Sequence, residues 1–411
     1  MVNYRNDEAF EIKGYWSDSE RLFDNPTGED AIAGTLSYLP GREATLQLFG
    51  AFVDGSGEKA TPFKLYGMAG QRKIVLKDIQ LKRFSNKSFP PFSLTEADYV
   101  AFDFDIFMPG DLVDESRTYD KVVLDFSNLS VWRRPVDERK DTYILDDMTV
   151  EIITGSGRHH ETLGVHTVTE VTRSRIRLES AVGKNRQEWI TLAKDFQDFL
   201  SLVFMKPVSI EYIGFGDTNS PLLVQPFFWQ HVKPDEVKLE KSGGITFDFA
   251  RLKSSLDDNL SNFLSSDERT KRLYKSLLPV LQKTDEDILT NLGRILPAID
   301  SFQDGLKYNS NGKKIKDFGK RVESFINELP SELLSKCNVD EKWNGVEGLA
   351  AALTKTRNAI SHGWELPTHF SELNNQLWMI IQIVWLRLFL IWGVQPEVLA
   401  SLVSYQANLI N

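Results

Sequence analysis

The feature that most constrains the fold is a change of hydrophobic period part-way along the chain. Up to about residue 180, β-rich runs are separated by Gly, Pro, Asn and Asp clusters, and 63–67, 73–77, 99–107 and 121–126 read as strands. Residues 162–178 are rich in Thr and Val and again strand-like. Trp189, Leu192, Phe196, Phe199, Leu200 and Val203 then recur at helical spacing; Pro207 ends that helix, and 208–213 reads as one more strand. Beyond about residue 245 the period is helical, with helices predicted near 248–264, 267–282, 285–304, 314–328, 345–362 and 371–392. Side chains alternate across a strand but recur every 3.6 residues on a helix, so the two halves cannot share one architecture. The charged stretch 232–244, which ends in Gly-Gly, is the linker candidate. The expected class is α+β: a β-rich N-terminal domain over 1–240, sandwich or barrel-like, followed by an all-α helical bundle over 245–411.

One hexapeptide of the helical half stands out. Arg357-Asn358-Ala359-Ile360-Ser361-His362 has the form R-N-x-x-x-H. Val346, Leu349, Ala350, Leu353 and Ile360 define an apolar stripe on its helix. At about 100° per residue, Arg357 falls inside that stripe, between Leu353 and Ile360. Asn358 and His362 are four residues apart and share a face beside it. Gly363 and Pro367 fit a helix stop. An arginine on an apolar face needs an acceptor. A buried carboxylate from another helix, with Asp300 as the candidate, is one; a phosphate held in a cleft is the other. The plain structural reading makes Arg357 a paired ion and His362 an ordinary helix-end histidine. The geometry of one helix leaves both open.

The motif and its setting resemble the HEPN family, whose signature is R-N-x-x-x-H on a helix of a small helical bundle. The resemblance spans roughly residues 245 to 411, and Arg357, Asn358 and His362 match the signature without departure. It implies a HEPN-like bundle that dimerises so that two motifs face one cleft, and a metal-independent endoribonuclease with those three residues as catalytic groups. Several members of the family act as toxins or in defence against phage. GTLSY at 34–38, Pro40-Gly41, LQLFG at 46–50 and the amphipathic helix before Pro207 look like the N-terminal domain of ApeA-type anti-phage HEPN proteins.

The residue types fit that chemistry. RNA carries its own nucleophile, the 2′-hydroxyl. Histidine is the side chain whose unperturbed ionisation falls near neutrality, and it transfers protons. A guanidinium neutralises charge growing on phosphoryl oxygens. The expected role is therefore a toxic effector of abortive infection that cuts RNA. tRNA and mRNA both stay open as substrate, no cofactor or metal is implied, and a phage protein is the expected trigger of the N-terminal domain.

Charge and cysteine usage bound the alternatives. The net charge of −10 argues against indiscriminate nucleic-acid binding, although a cleft can be locally basic. Cys337 is the sole cysteine and the start of the chain is polar, so a cytoplasmic home is the default expectation. Residues 377–392 are strongly apolar but are interrupted by Gln382 and Arg387, which favours a core helix over a membrane span. Arg173, Arg175 and Arg177 alternate and form either a basic stripe or a solvated sheet face. Lys313, Lys314, Lys316, Lys320 and Arg321 could line an RNA path, but solvated helix faces more often look like this. His159-His160-Glu161 with His166 lacks H-E-x-x-H spacing and reads as a surface loop. His369 follows the motif helix closely. Trp16, Tyr38 and the phenylalanines of the β half are core candidates. The competing functional reading is a non-catalytic binding or regulatory protein that dimerises through its helical domain. A membrane-active effector driven by 377–392 is a third.

Overall fold

The computed structural model describes residues 4–52, 63–89, 92–111, 113–114, 116–129, 132, 139–163, 165–220, 222–228, 230, 249–282, 287–304, 317–366 and 369–406. The linker candidate 232–244, the loop at 309–312, Lys313, Lys314, Lys316, His231 and Pro367 lie outside them. A β-rich region is followed by a helical one, as the change of period requires. The chain forms two compact units, one of residues 1–197 with 208–241, the other of 198–207 with 242–411.

The first unit is one antiparallel sheet. Its strands are β1 (Phe10–Ser17), β2 (Ile32–Tyr38), β3 (Ala44–Leu48), β4 (Lys64–Ala69), β5 (Arg72–Phe89), β6 (Phe92–Phe107), β7 (Thr118–Phe126), β8 (Arg139–Leu145), β9 (Met148–Leu163), β10 (Val165–Asn185), β11 (Ile210–Gly216) and β12 (Val224–Phe228). Their order is β3-β2-β1-β4-β5-β6-β12-β11-β7-β10-β9-β8, and β3 also pairs with β6. That extra pairing closes β1 to β6 into a barrel, which removes two exposed edges. The remaining strands continue from β6 as an open extension.

The barrel interior is apolar. Trp16, Leu36, Leu46, Leu65, Ile74, Leu76, Tyr99, Phe104 and Ile106 fill it from alternating positions. Phe104 and Phe227 stack with centroids 4.7 Å apart. Glycine is required where Trp16 passes β4: a Cβ on Gly67 would lie 2.4 Å from the indole ring. The outer face of β6 carries charge instead. Asp105 receives hydrogen bonds of 2.8 Å from Lys77 and from the Arg186 Nε, and Arg186 also pairs with Asp103. Burial pushes the Asp103 carboxyl up, against the opposing pull of Arg186.

The arginine stripe of β10 meets carboxylates on neighbouring strands. Arg175 lies 3.1 Å from Asp125 of β7, and Arg177 3.3 Å from Glu151 of β9. Asp125 also accepts from Arg5 at 2.8 Å. Arg175 and Arg177 are thus engaged in cross-strand pairs, and the Arg173 side chain lies outside the described ones. The His159, His160 and His166 reading needs correction. These residues are not in a loop: they belong to the long β9–β10 hairpin, where His159 opposes Thr169, His160 opposes Val168 and His166 opposes Thr162. Strand pairing of the Thr- and Val-rich segment extends the hairpin through them.

The helices are α1 (Arg186–Phe204), α2 (Phe249–Leu252), α3 (Leu256–Leu264), α4 (Glu268–Gln282), α5 (Ile288–Asp304), α6 (Phe318–Asn327), α7 (Ser331–Lys336), α8 (Val339–Trp343), α9 (Val346–His362), α10 (Phe370–Ile391) and α11 (Pro396–Gln406). The single helix expected at 248–264 is broken at residues 253–255, and α7, α8 and α11 are too short or too weakly periodic to stand out in the sequence. Helix α10 lies at the centre of its unit. Leu377, Ile380, Ile381, Val384, Trp385, Leu388 and Phe389 are buried. It is the described helix long and apolar enough to cross a membrane, and 61% of its apolar window is buried. Arg387 does not interrupt this packing, because it donates to the Glu328 carbonyl at 3.0 Å and pairs with the Glu328 carboxylate. The C-terminal carbonyl of Trp392 accepts from Asn259 and Asn262.

Two outcomes are expected from this packing. Gly67→Ala should lower stability by about 1–3 kcal/mol, the usual cost of overpacking a filled core, measured by urea denaturation. Cys337 is buried, which pushes its thiol up to about 12. The native thiol should resist iodoacetamide at pH 8 and react only on unfolding. Because the folded thiol holds its proton more tightly than the unfolded one, this group's contribution is intact below the unfolded pKa of about 8.5. It is lost as pH rises towards about 12.

Candidate functional site

Helix α9 carries the motif, and its two ends are fixed by backbone geometry. At the start, Asn344 (φ 55°) and Gly345 (φ 93°) turn the chain out of α8. A Cβ on Gly348 would sit 1.8 Å from the Trp343 carbonyl oxygen, so glycine allows α8 and α9 to meet. At the end, Gly363 adopts a left-handed φ of 64° as the C-cap, and the Trp364 N–H donates 3.0 Å to the Ala359 carbonyl. This turn brings the Trp364 ring onto the His362 ring, with centroids 4.7 Å apart.

Leu349, Ala350, Leu353, Thr356 and Ala359 are the buried side of α9. Thr356 hydrogen-bonds the buried Gln376 of α10 at 2.7 Å. Arg357 lies at the edge of that side, not inside it, because the centre of the buried stripe passes through Thr356. Its side chain is 34% exposed.

Arg357 meets two groups from other helices. Its Nη2 is 3.7 Å from the Asp300 carboxylate of α5, and its guanidinium carbon lies 5.0 Å from the centroid of the Phe318 ring. Asp317 caps α6 by accepting from the Gly319 N–H at 2.8 Å, which starts the helix where Phe318 reaches Arg357. One turn later Arg321 donates from Nε to the other Asp300 oxygen. Asp300 therefore serves two cations unequally. Arg321 makes the close hydrogen bond, whereas 3.7 Å is beyond hydrogen-bond length and leaves Arg357 with an electrostatic contact only. The Arg357 Nε is buried and has no hydrogen-bond partner among the described residues. The guanidinium is anchored but retains donors for an anion.

Asn358 is half-buried and His362 exposed. They share one face, with Lys355 a turn before Asn358. His362 lies about 140° around the helix from Arg357, since five steps of about 100° pass one full turn. The helix brings Asn358 and His362 together and turns Arg357 towards α5 and α6. His369 is exposed at the start of α10. Among the described residues there is no cluster of His, Cys, Asp and Glu that could hold a metal ion. Trp364, Phe318 and the role of Arg321 escape sequence reading. A tryptophan two residues past the motif was the available signal for the first; the others need tertiary contact.

The family model for ApeA N-terminal domain 1 matches residues 11–266, more than half of the chain. The chain belongs to that family. This ApeA-type defence protein is matched across the barrel and its sheet extension and on through α2 and α3. The match ends before the motif helix. No curated protein and no solved structure matches the ApeA-type chain.

Removing Asp300 tests the shared pair. Asp300→Ala should destabilise the protein by about 2 kcal/mol, the scale of a charge-assisted hydrogen bond, as Arg321 loses its close acceptor. Arg357→Ala should cost less, about 1 kcal/mol or below, because its contact is long and partly exposed. Thermal unfolding of both variants gives the comparison; an equal or larger loss for Arg357→Ala would make that arginine the principal structural partner.

Proposed function

We infer that this ApeA-type defence protein is a metal-independent endoribonuclease whose toxic RNA cleavage aborts phage infection. The observation that carries the reading is the state of the motif. Arg357 is held in place by Asp300 and Phe318 with donors to spare, and His362 stands exposed on a capped helix end. Resemblance of R-N-x-x-x-H to the HEPN signature supplies the reaction class. The 2′-hydroxyl attacks the adjacent phosphorus as its proton leaves, and the bond to the 5′ oxygen breaks as that oxygen gains a proton. The products are a 2′,3′-cyclic phosphate and a 5′-hydroxyl. Arg357 neutralises the phosphoryl oxygens, His362 transfers a proton and Asn358 orients one of them.

A dimer completes this arrangement. Within one chain Arg357 and His362 point about 140° apart, so two motifs facing one cleft give a phosphate access to an arginine and a histidine at once. Trp364, stacked on His362, is exposed, as are Phe370 and Trp378 of the following helix, and they offer apolar surface for a second copy. The N-terminal domain senses a phage component or restrains the nuclease; tRNA and mRNA are both open as substrate. The competing reading, a non-catalytic binding protein, draws on the Arg357–Asp300 contact.

One experiment separates them. Wild type and His362→Ala are expressed at equal soluble level in bacteria challenged with phage, and total RNA is resolved on gels. Discrete fragments with cyclic-phosphate ends are expected in wild type only, with cleavage falling at least a hundredfold in the variant, as loss of a proton-transfer group entails. Equal protection with intact RNA in both would move the function to binding.

A further inference from the structure

The face of α9 that carries Asn358 and His362 does not end at the motif. Ala351 and Lys355 lie on it as well, at about 20° of His362 around the axis. There α8, α9 and α10 enclose a groove of about 650 Å³ whose lining includes Lys342, Trp343, Asn344, Ala351, Lys355 and Asn375. We propose that this groove holds one nucleotide of the RNA strand next to the phosphate cleaved at the motif. The inference rests on the nuclease reading and names a substrate subsite for it.

Four observations support a nucleotide as occupant. Lys342 and Lys355 outnumber the single acid among the lining residues, Glu372, so the lining carries a net positive charge in a chain of net charge −10. Trp343 supplies an aromatic surface, and bases of every kind stack on such surfaces. Asn344 and Asn375 add amides able to donate to and accept from a base edge. The distances suit a continuous strand: Lys355 is three residues from Asn358 and seven from His362, about 4.5 and 10.5 Å along the axis. A phosphate at Lys355 and a scissile phosphate at the motif therefore fit one chain, with the base between them turned into the groove. Lys320, exposed on α6, lies on a different helix from the groove lining.

The test uses the full-length chain with His362→Ala, so that RNA is bound but not cut. Short fluorescein-labelled single-stranded RNAs, each of one base type, are titrated by fluorescence anisotropy. Two additions are compared: Lys355→Ala, which removes a phosphate contact, and Ala351→Phe, which fills the groove from an exposed helix position. Lys320→Ala is the control. Each groove variant should weaken binding about tenfold, equivalent to about 1.4 kcal/mol. Lys355→Ala should also reduce the slope of log affinity against log salt by about 0.7, the value of one single-strand phosphate contact. Lys320→Ala should match the parent. Affinities within twofold of the parent for both groove variants overturn the proposal, as does a parent that binds none of the RNAs. The outcome is separable from that of the nuclease reading. If wild type leaves RNA intact while the groove variants lose binding, the groove stands and the catalytic reading falls. If wild type cuts RNA and the same two substitutions, made without His362→Ala, leave KM unchanged, the groove falls and the nuclease stands.

Discussion

Helix α10 sets the terms for the helical unit. It is apolar on nearly every side, and a helix without a polar face must be covered all round. α4 and α5 pack on it, and α9 packs on it and on α5 and α6. Polar atoms that α10 and its cap carry into the interior find partners there: the Gln376 Oε1 accepts from Thr356, Arg387 donates to Glu328, and the Trp392 carbonyl accepts from two asparagines. Leaving any of them unpaired in that interior would cost more than the bond itself contributes. The motif helix owes its position to this requirement, since the side of α9 that faces inward is chosen by the need to cover α10 and α5.

Once α9 is placed, Asp300 decides what its arginine can do. One carboxylate between two guanidiniums satisfies neither fully, and it gives its hydrogen bond to Arg321. Arg357 is steered by the residual attraction and by the Phe318 ring, both weak at a site open to solvent. A side chain held this way is ordered without being used up. An arginine consumed by a bidentate ion pair would have nothing left to offer a phosphate.

The β unit solves a different problem. A sheet of this width presents edges, and the β3–β6 pairing removes two of them by closing the barrel. Inside it the tryptophan, tyrosine and phenylalanine side chains are consumed by packing: Trp16, Tyr99 and Phe104 are buried in the core cluster. The charged residues outside it pair across strands, so Arg175 and Arg177 stabilise the sheet extension and do not form a free basic track.

The sequence by itself determined the class and order of elements. The partial alternation over 99–107, the β-rich run at 121–126 and the helical recurrence of Leu349 and Leu353 are local properties of neighbouring residues, so strand and helix were legible there. It also determined the end of the motif helix, because Gly363 is suited to the left-handed cap wherever the helix packs. Asp300 was legible as a partner for Arg357 because an apolar-face arginine needs an acid. Only the tertiary structure decided that Asp300 is shared with Arg321, that Thr356 takes the centre of the buried stripe and Arg357 its edge, that Trp364 stacks beside an exposed His362, and that β3 closes on β6. Each of these joins residues far apart in sequence or depends on how one helix is rotated against its neighbours. Rotation and long-range pairing are fixed by the packing of the whole unit, and no local pattern contains them.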